Sequence, residues 1–205
     1  MRFISTRGKS GKVSAAEAII KGLADDGGLF VPEYFPKVFQ KLKEKASISY
    51  EELSFEIIKE FFDDIPEEDL KEAIDEAYKG RFEILEKGAF LELYHGPTSA
   101  FKDVALLFLP QIMKKAKKVL AINDEITILT ATSGDTGKAA LEGFHDVEGF
   151  KCVVYYPKNG VSAIQERQMN TQVGNNIKVI AIEGNFDDAQ RGVKNIFADE
   201  ELRDK

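Results

Sequence analysis

A lysine flanked by hydroxyl residues and an aspartate is the first group in this sequence whose type and spacing suit chemistry. The segment from His95 to Asp103 reads His-Gly-Pro-Thr-Ser-Ala-Phe-Lys-Asp. If Thr98 or Ser99 caps the following helix, Lys102 lies in the first helical turn, where the positive end of the helix dipole disfavours a protonated amine. A neutral amine is what imine formation with an aldehyde requires, whereas Asp103 favours the charged form. Lys102 is therefore either a nucleophile or a solvated lysine at a helix start.

A second turn, rich in hydroxyls and glycine, has the composition of an anion site. It reads Thr-Ala-Thr-Ser-Gly-Asp-Thr-Gly from Thr130 to Gly137, between an apolar run and a helical one. Glycines let the backbone approach a ligand, and the free amides at a helix start attract a carboxylate or phosphate. Ala139 follows Lys138, so the turn lacks the ending of a nucleotide-binding P-loop. The pattern predicts either a small-anion site or an ordinary capped turn.

Two later turns have similar positions but weaker signals. The turn from Pro157 to Ser162 follows an apolar run and opens a helix with a hydroxyl cap. Lys158 within it either holds an anionic group or is a solvent-exposed loop lysine, which is the usual state of a charged loop side chain. The segment from Glu183 to Asp187 has the composition of a tight turn that leads into a helix, and we expect it to be purely structural.

Composition and charge exclude several classes of function. The 205 residues include 28 Lys and Arg and 35 Asp and Glu, which gives a net charge of -7. A negative charge repels the phosphate backbone of a nucleic acid. The single cysteine, Cys152, excludes an intrachain disulfide, and the two histidines lack metal-ligand spacing. No apolar stretch approaches the roughly 18 residues of a membrane span. We expect a cytoplasmic chain without a metal, nucleic-acid or membrane partner.

The elements that position these turns divide the sequence near Gly88. In residues 1–88 the apolar spacing predicts a small, mostly helical domain. In residues 89–205 it predicts an α/β domain in which strands and helices alternate. The alternation, with apolar strands, predicts a doubly wound parallel sheet whose ligands bind beyond the carboxyl ends of its strands. The predicted helices are Ser14–Ile20, Tyr50–Phe62, Pro66–Lys79, Ala100–Lys118, Thr136–Phe144, Ser162–Val173 and Asp187–Leu202. The predicted strands are Phe90–Tyr94, Ile126–Ala131, Phe150–Tyr156 and Ile177–Glu183.

The turns resemble motifs of the threonine synthase family. The segment His95–Asp103 is similar to the family's cofactor-lysine segment, and Thr130–Gly137 is similar to the loop that follows it. Tyr156–Glu166 and Asp26–Pro32 resemble two further family segments, the latter from its amino-terminal domain. The resemblance runs in the expected order from about Ser5 to the last residue.

The resemblance implies a fold-type II pyridoxal-phosphate enzyme that converts O-phospho-L-homoserine and water to L-threonine and phosphate. It implies that Lys102 carries pyridoxal 5′-phosphate and then transfers protons as a general acid and base. Asn159-Gly160 stands where many members have Gly-Lys. The resemblance therefore does not fix which residues contact the substrate phosphate. The substrate-binding residues implied are Thr132, Ser133, Gly134, Asp135, Thr136, Lys158 and Ser162.

Length is the main departure from the family. Threonine synthases are longer, and their glycine-rich loop for the cofactor phosphate lies beyond Lys205, so we expect an α/β domain incomplete at its C-terminus and a fragment inactive alone. The alternatives are another fold-type II lyase or dehydratase and a non-catalytic small-anion-binding fragment. Asp135, where several such relatives have asparagine, and the amino-terminal helical domain favour threonine synthase. The oligomeric state is not indicated by the sequence.

Overall fold

The computed structural model describes residues 1–43, 48–199 and 201. Its contacts divide the chain into two compact units, of which the first comprises residues 1–81 and 111–123 and the second comprises residues 82–110 and 124 onward. The domain boundary expected near Gly88 stays a prediction. In chain order the elements are β1 (Phe3–Ser5), α1 (Ala15–Lys21), β2 (Phe30–Pro32), α2 (Val38–Lys43), α3 (Tyr50–Ile58), α4 (Glu67–Tyr78), β3 (Glu83–Lys87), β4 (Phe90–His95), α5 (Asp103–Leu106), α6 (Phe108–Val119), β5 (Ile126–Ala131), α7 (Asp135–Phe144), β6 (Phe150–Pro157), α8 (Ala163–Asn170), β7 (Ile177–Ile182) and α9 (Phe186–Ala198).

The first unit confirms the predicted helices α1, α3 and α4. Ser14 and Ser49 each close a capping box at the start of α1 and α3, which satisfies otherwise free helix amides. The helix expected to reach Phe62 ends at Ile58, because the amides of Glu60 and Phe61 bond three residues back and tighten the chain into turns. The antiparallel pair of β1 and β2 was not predicted, since three residues are too few for an alternating pattern.

The second unit contains the parallel sheet that the alternation predicts. β5, β6 and β7 pair in parallel and in that order, so the sheet of described residues has three strands. Both α7 and α9 pack on β5 and β6. A Cβ added at Gly137 would press on the side chains of Thr132 and Val154, so glycine allows α7 to lie close to the sheet. Together these features confirm an α/β fold.

The expected place of the strand at Phe90–Tyr94 in the parallel sheet is wrong. That segment is β4, which pairs antiparallel with β3, a strand that was not predicted. The two-residue connection Gly88-Ala89 joins them, and Gly88 adopts φ 61°, which suits a tight hairpin turn. A connection of this length can only join antiparallel strands, because a parallel pair needs a long crossover.

The helix expected over Ala100–Lys118 is two helices, α5 and α6. Pro110 has no amide hydrogen to bond the carbonyl of Leu106, and its ring crowds that carbonyl, so the helix breaks at Leu107. Residues 99–102 form turns, and neither Thr98 nor Ser99 caps a helix. Lys102 is itself the N-cap residue of α5, so it lies at the helix start, one position before the first turn in which it was expected.

The remaining predicted helices are present with shifted ends. α7 starts one residue earlier than expected, at Asp135, and α8 ends three residues earlier, at Asn170. Asn185 closes a capping box with Asp188 at the start of α9, as the structural interpretation of that turn requires. The expected end of this helix at Leu202 lies outside the described residues. Within residues 1–43, 48–199 and 201, no helix is long and apolar enough to cross a membrane.

Candidate active site

The turn before Lys102 is held by a buried carboxylate. Asp103 is fully buried, and its Oδ2 accepts a hydrogen bond from the Thr98 amide at 2.9 Å while its Oδ1 accepts one from the Thr98 hydroxyl at 2.6 Å. A Cβ added at Gly96 would overlap the Asp103 carboxylate, so this glycine makes room for it. Ser99 takes a left-handed conformation at φ 56°. The carboxylate thus fixes the backbone path that ends at Lys102.

The amine of Lys102 contacts an aromatic ring. Its Nζ is 4.0 Å from the ring centroid of Phe101, a cation–π contact, and the side chain is partly buried. Within the described chain Lys102 forms no ion pair, whereas Lys115 pairs with Glu72 and Lys118 pairs with Asp69. An aldehyde ligand could therefore react with this amine without breaking an ion pair to a described carboxylate.

The hydroxyl of Thr132 organises the second turn from inside. This residue is 2% exposed, and its Oγ1 accepts hydrogen bonds from the amides of Gly134 at 3.0 Å and Gly137 at 2.9 Å. The same hydroxyl donates to the Gly134 carbonyl at 3.0 Å. Its bonding capacity is therefore used within the loop, and the arrangement leaves no part of this hydroxyl for a substrate.

The outer surface of the same turn presents unbonded donors. Ser133, Asp135 and Thr136 are exposed, and in the part of the chain that the structure describes their backbone amides make no hydrogen bond. These amides stand at the start of the ten-residue helix α7, where the dipole favours negative charge. The turn therefore has the Thr132 hydroxyl inside and three unbonded amides at a helix start, an arrangement that suits an anion.

The third turn is connected to the second through Gln165. Its Nε2 donates to Asp135 Oδ1 at 2.7 Å, and its Oε1 accepts from the amide and hydroxyl of Ser162 at 3.2 and 3.0 Å. Lys158 points instead to Glu183, with 2.8 Å between Nζ and Oε1. The structure thus brings Asp135 and Ser162 together and pairs Lys158 with a residue that the sequence did not single out.

Lys102 is not joined to the other predicted residues by a hydrogen bond within the described chain. The helices that follow Lys102 and the second turn are nevertheless in contact, because α5 packs on α7. A Cβ added at Gly143 in α7 would overlap the carbonyl oxygen of Leu106 in α5. Gly143 is at the opposite end of α7 from Asp135. Two surface pockets lie on the first unit, and none of the turns lines either of them.

Sequence reasoning missed the positioning roles of Asp103 and Gln165. Asp103 was noted only for its charge, because a sequence does not reveal that the side chain turns inward to Thr98. Gln165 stands three residues after Ser162, which is the capping-box spacing and could have predicted its bond to Ser162. The bond to Asp135 spans thirty residues and has no local signal.

Two titratable side chains with strongly shifted pKa values are Cys152 and Glu92. Burial raises the pKa of the Cys152 thiol to about 12, so this cysteine is a poor nucleophile. The hydrogen bond from His95, with contributions from Tyr94 and Lys87, lowers the pKa of Glu92 to about 2. No group of three or more His, Cys, Asp or Glu within the described ranges is placed to hold a metal ion.

Comparisons with known proteins give one consistent result. The family model for the threonine synthase N terminus matches residues 2–78. The chain is 41% identical to a threonine synthase from Pseudomonas aeruginosa, in a match that covers 98% of this chain and 44% of that protein. It is 36% identical to the threonine synthase of Escherichia coli, over 99% of this chain and 47% of that protein. The chain therefore spans less than half the length of these relatives.

Solved structures agree with the sequence matches. A pyridoxal-phosphate-bound threonine synthase from Brucella melitensis superposes with a TM-score of 0.88 at 36% identity, covering 100% of this chain and 46% of that one. The threonine synthase from yeast superposes with a TM-score of 0.83 at 35% identity, covering 98% of this chain and 44% of that one. Both similarities extend over both units of the chain.

Proposed function

Because this chain belongs to the threonine synthase family and matches the amino-terminal part of its members, we propose that it forms the lysine-bearing part of a pyridoxal-phosphate-dependent lyase. The reaction proposed is the conversion of O-phospho-L-homoserine and water to L-threonine and phosphate. The observation that carries this proposal is the place of Lys102 at the end of a turn fixed by Asp103, with a partly buried side chain that forms no ion pair within the described chain.

The residues around Lys102 fit the cofactor proposed. An aldehyde cofactor needs an amine that is accessible and not held by a carboxylate, and the described surroundings of Lys102 meet both conditions. The aromatic ring of Phe101, 58% exposed, provides an apolar neighbour to that amine. When bound, pyridoxal phosphate supplies an electron sink for the substrate carbanion.

Lys102 would then move protons at the substrate carbon atoms. A side chain that alternates between amine and ammonium can remove a proton from one carbon and deliver it to another, provided that its backbone stays fixed. Asp103 and Thr98 provide that fixation without contacting the amine. The role of these two residues is therefore to hold the position from which Lys102 reacts.

The substrate carboxylate would bind at the second turn. The unbonded amides of Ser133, Asp135 and Thr136 can donate to its oxygens at the positive end of α7. Gly134, at φ 152°, gives the turn a backbone conformation that other residues rarely adopt. Thr132 would contribute by shaping the turn, since its hydroxyl bonds the loop itself.

Lys158 and Ser162 are proposed contacts for the substrate phosphate. To bind the phosphate, Lys158 would give up its ion pair with Glu183. The free-energy cost of breaking this pair is small, because both side chains are more than half exposed and surface ion pairs contribute little to stability. The hydroxyl of Ser162 donates to Gln165 and would need to turn toward the ligand. A cytoplasmic location and a partner set limited to small molecules remain predictions.

A second candidate function is small-anion binding without turnover. The free amides of the second turn favour it, because they can hold a carboxylate or phosphate in the absence of any cofactor. Another fold-type II lyase or dehydratase is a further alternative with the same lysine and the same turn. Turnover of O-phospho-L-homoserine to threonine by a full-length chain would separate threonine synthase from both.

The first test is covalent labelling of Lys102. We expect pyridoxal phosphate to give an absorbance band with the purified chain, and borohydride reduction followed by mass spectrometry to locate the label on Lys102. The Lys102→Ala variant should lose the band, whereas Lys151→Ala, which removes an exposed lysine paired with Glu125, should keep it. Labelling scattered equally over surface lysines, both in this chain and in one extended past Lys205, would reject Lys102 as the cofactor residue.

A further inference from the structure

The amide group of Gln165 has a fixed orientation between the second and third turns. The backbone amide of Ser162 can only donate, so the Gln165 oxygen must face it, at 3.2 Å. The Gln165 nitrogen then faces Asp135 and donates to its Oδ1 at 2.7 Å. The two turns at the carboxyl ends of β5 and β6 are thus joined by a bridge whose direction the backbone dictates.

Helix capping accounts for only half of these contacts. A capping box requires the Gln165 oxygen at Ser162 and leaves the nitrogen free to reach solvent. Here the nitrogen lies against the second turn, since a Cβ added at Gly134 would overlap Gln165 Nε2. The glycine leaves space for the amide group, and the amide group contacts the turn at both Gly134 and Asp135.

We propose that Gln165 is a positioning residue for the substrate turn. By holding the carboxylate of Asp135, it fixes the start of α7 and with it the positions of the unbonded amides of Ser133, Asp135 and Thr136. A carboxylate bound there gains most when its donors are already in place. This inference rests on the proposed function, because it assigns the turn to the substrate carboxylate.

A purely structural role for Gln165 predicts a different response to substitution. Gln165→Glu keeps the oxygen that Ser162 requires, so the helix cap survives, but it places a second acceptor opposite Asp135. Adding Asp135→Asn restores a donor and acceptor pair with the polarity reversed, because the asparagine amide can donate to the new carboxylate. The pair of substitutions therefore tests the bridge without removing the cap.

The experiment follows backbone amide signals by nuclear magnetic resonance during titration with O-phospho-L-homoserine. We expect the amides of Ser133, Asp135 and Thr136 to shift in the wild-type chain, and Gln165→Glu to weaken binding about tenfold. Asp135→Asn added to Gln165→Glu should bring the affinity back to within about threefold of Asp135→Asn alone. Gln168→Ala, on the same helix, serves as the matched control and should bind as the wild type does.

The outcomes separate this inference from the function on which it rests. If the wild-type amides do not respond to the substrate, the carboxylate site is rejected and the inference falls with it. If the wild type responds and Gln165→Glu binds equally well, or the double variant is not restored, the bridge is irrelevant while the site stands. Thermal unfolding of each variant identifies any loss of affinity that merely follows a loss of stability.

Discussion

At the scale of single residues, the site depends on polar groups that bond the backbone from within. Asp103 and Thr132 are almost fully buried, and each satisfies groups of its own turn. Buried hydrogen-bonding groups of this kind are costly to leave unpaired, so they hold one loop conformation. Lys102 and the exposed Ser133 owe their placement to these partners, although neither bonds them directly.

Substitution of Asp103 should separate its hydrogen bonds from its charge. Asp103→Asn can still accept from the Thr98 amide and can donate to the Thr98 hydroxyl, so we expect stability and Lys102 labelling close to wild type. Asp103→Ala leaves the amide and the hydroxyl of Thr98 without a partner. We expect it to lower the free energy of unfolding by about 1–3 kcal/mol and to slow the labelling of Lys102. Urea unfolding and the rate of reductive labelling measure these effects.

The contrast between the two Asp103 variants is the decisive comparison. If Asp103→Asn slows labelling as much as Asp103→Ala does while remaining folded, the carboxylate acts through its charge and not through the turn. Thr98→Val removes the hydroxyl but keeps the backbone amide. We expect its labelling rate and its free energy of unfolding to lie between those of the two Asp103 variants.

At the scale of elements, close approach of the backbone places α7. Gly137 lets the helix lie against the side chains of Thr132 and Val154, and Gly143 lets it lie against the carbonyl of Leu106. That carbonyl has no helical partner at Pro110, which lacks an amide hydrogen. The Leu106 carbonyl therefore links two features of the fold. Pro110 leaves it without a helical partner at the break between α5 and α6, and Gly143 lets α7 pack against it.

Gly143→Ala should destabilise the second unit. The added methyl group would overlap the Leu106 carbonyl oxygen, which belongs to the backbone and cannot turn aside, so we expect a loss of about 1–3 kcal/mol. Gly192→Ala is the matched control, because Gly192 lies in α9 with no atom within 4 Å of an added Cβ. Its helix propensity should instead add about 0.5–1 kcal/mol in the same urea unfolding measurement.

An equal response from the two glycine variants would contradict this account. Loss of stability in both would show that backbone conformation, and not the contact with Leu106, limits substitution. A gain in both would show that α5 moves away from α7 at little cost.

At the scale of the whole molecule, excess carboxylates serve as hydrogen-bond acceptors in loops. Asp26 in the first unit accepts from the Ser5 hydroxyl at 2.6 Å and from the amides of Gly28 and Lys9, both at 2.9 Å. The Ser5 hydrogen bond, followed by those from the backbone, lowers the pKa of Asp26 to about 2. A carboxylate with a lowered pKa stabilises the folded chain when it is ionised.

Stability should therefore fall with acid in a way that depends on Asp26. Its folded pKa, about 2, lies below the ordinary value of 3.8, so its contribution is complete above pH 4 and is lost as the pH falls toward 2. Asp26→Asn should lower stability at neutral pH and make the fall between pH 4 and pH 2 shallower. Urea unfolding at a series of pH values measures both effects.

The neighbouring Asp25 provides the control for acid unfolding. Its side chain is 77% exposed and, within the part of the chain that the structure describes, pairs with Lys21 at the end of α1. Asp25→Asn should therefore keep the wild-type dependence of stability on pH, and an equally shallow fall in this variant would refute the role of the Asp26 loop.

The sequence by itself determined most of the elements and indicated which of their residues could do chemistry. The strands β5, β6 and β7 and the turns after them follow from local patterns of apolar, glycine and hydroxyl residues. Only the tertiary structure decided that β4 pairs with β3 and that Thr132 and Asp103 bond their own loops. It also decided that Gln165 reaches Asp135. The physical reason is distance along the chain: periodicity and caps act within a few residues, whereas strand partners, buried hydrogen bonds and bridges between turns are fixed by packing that brings distant residues together.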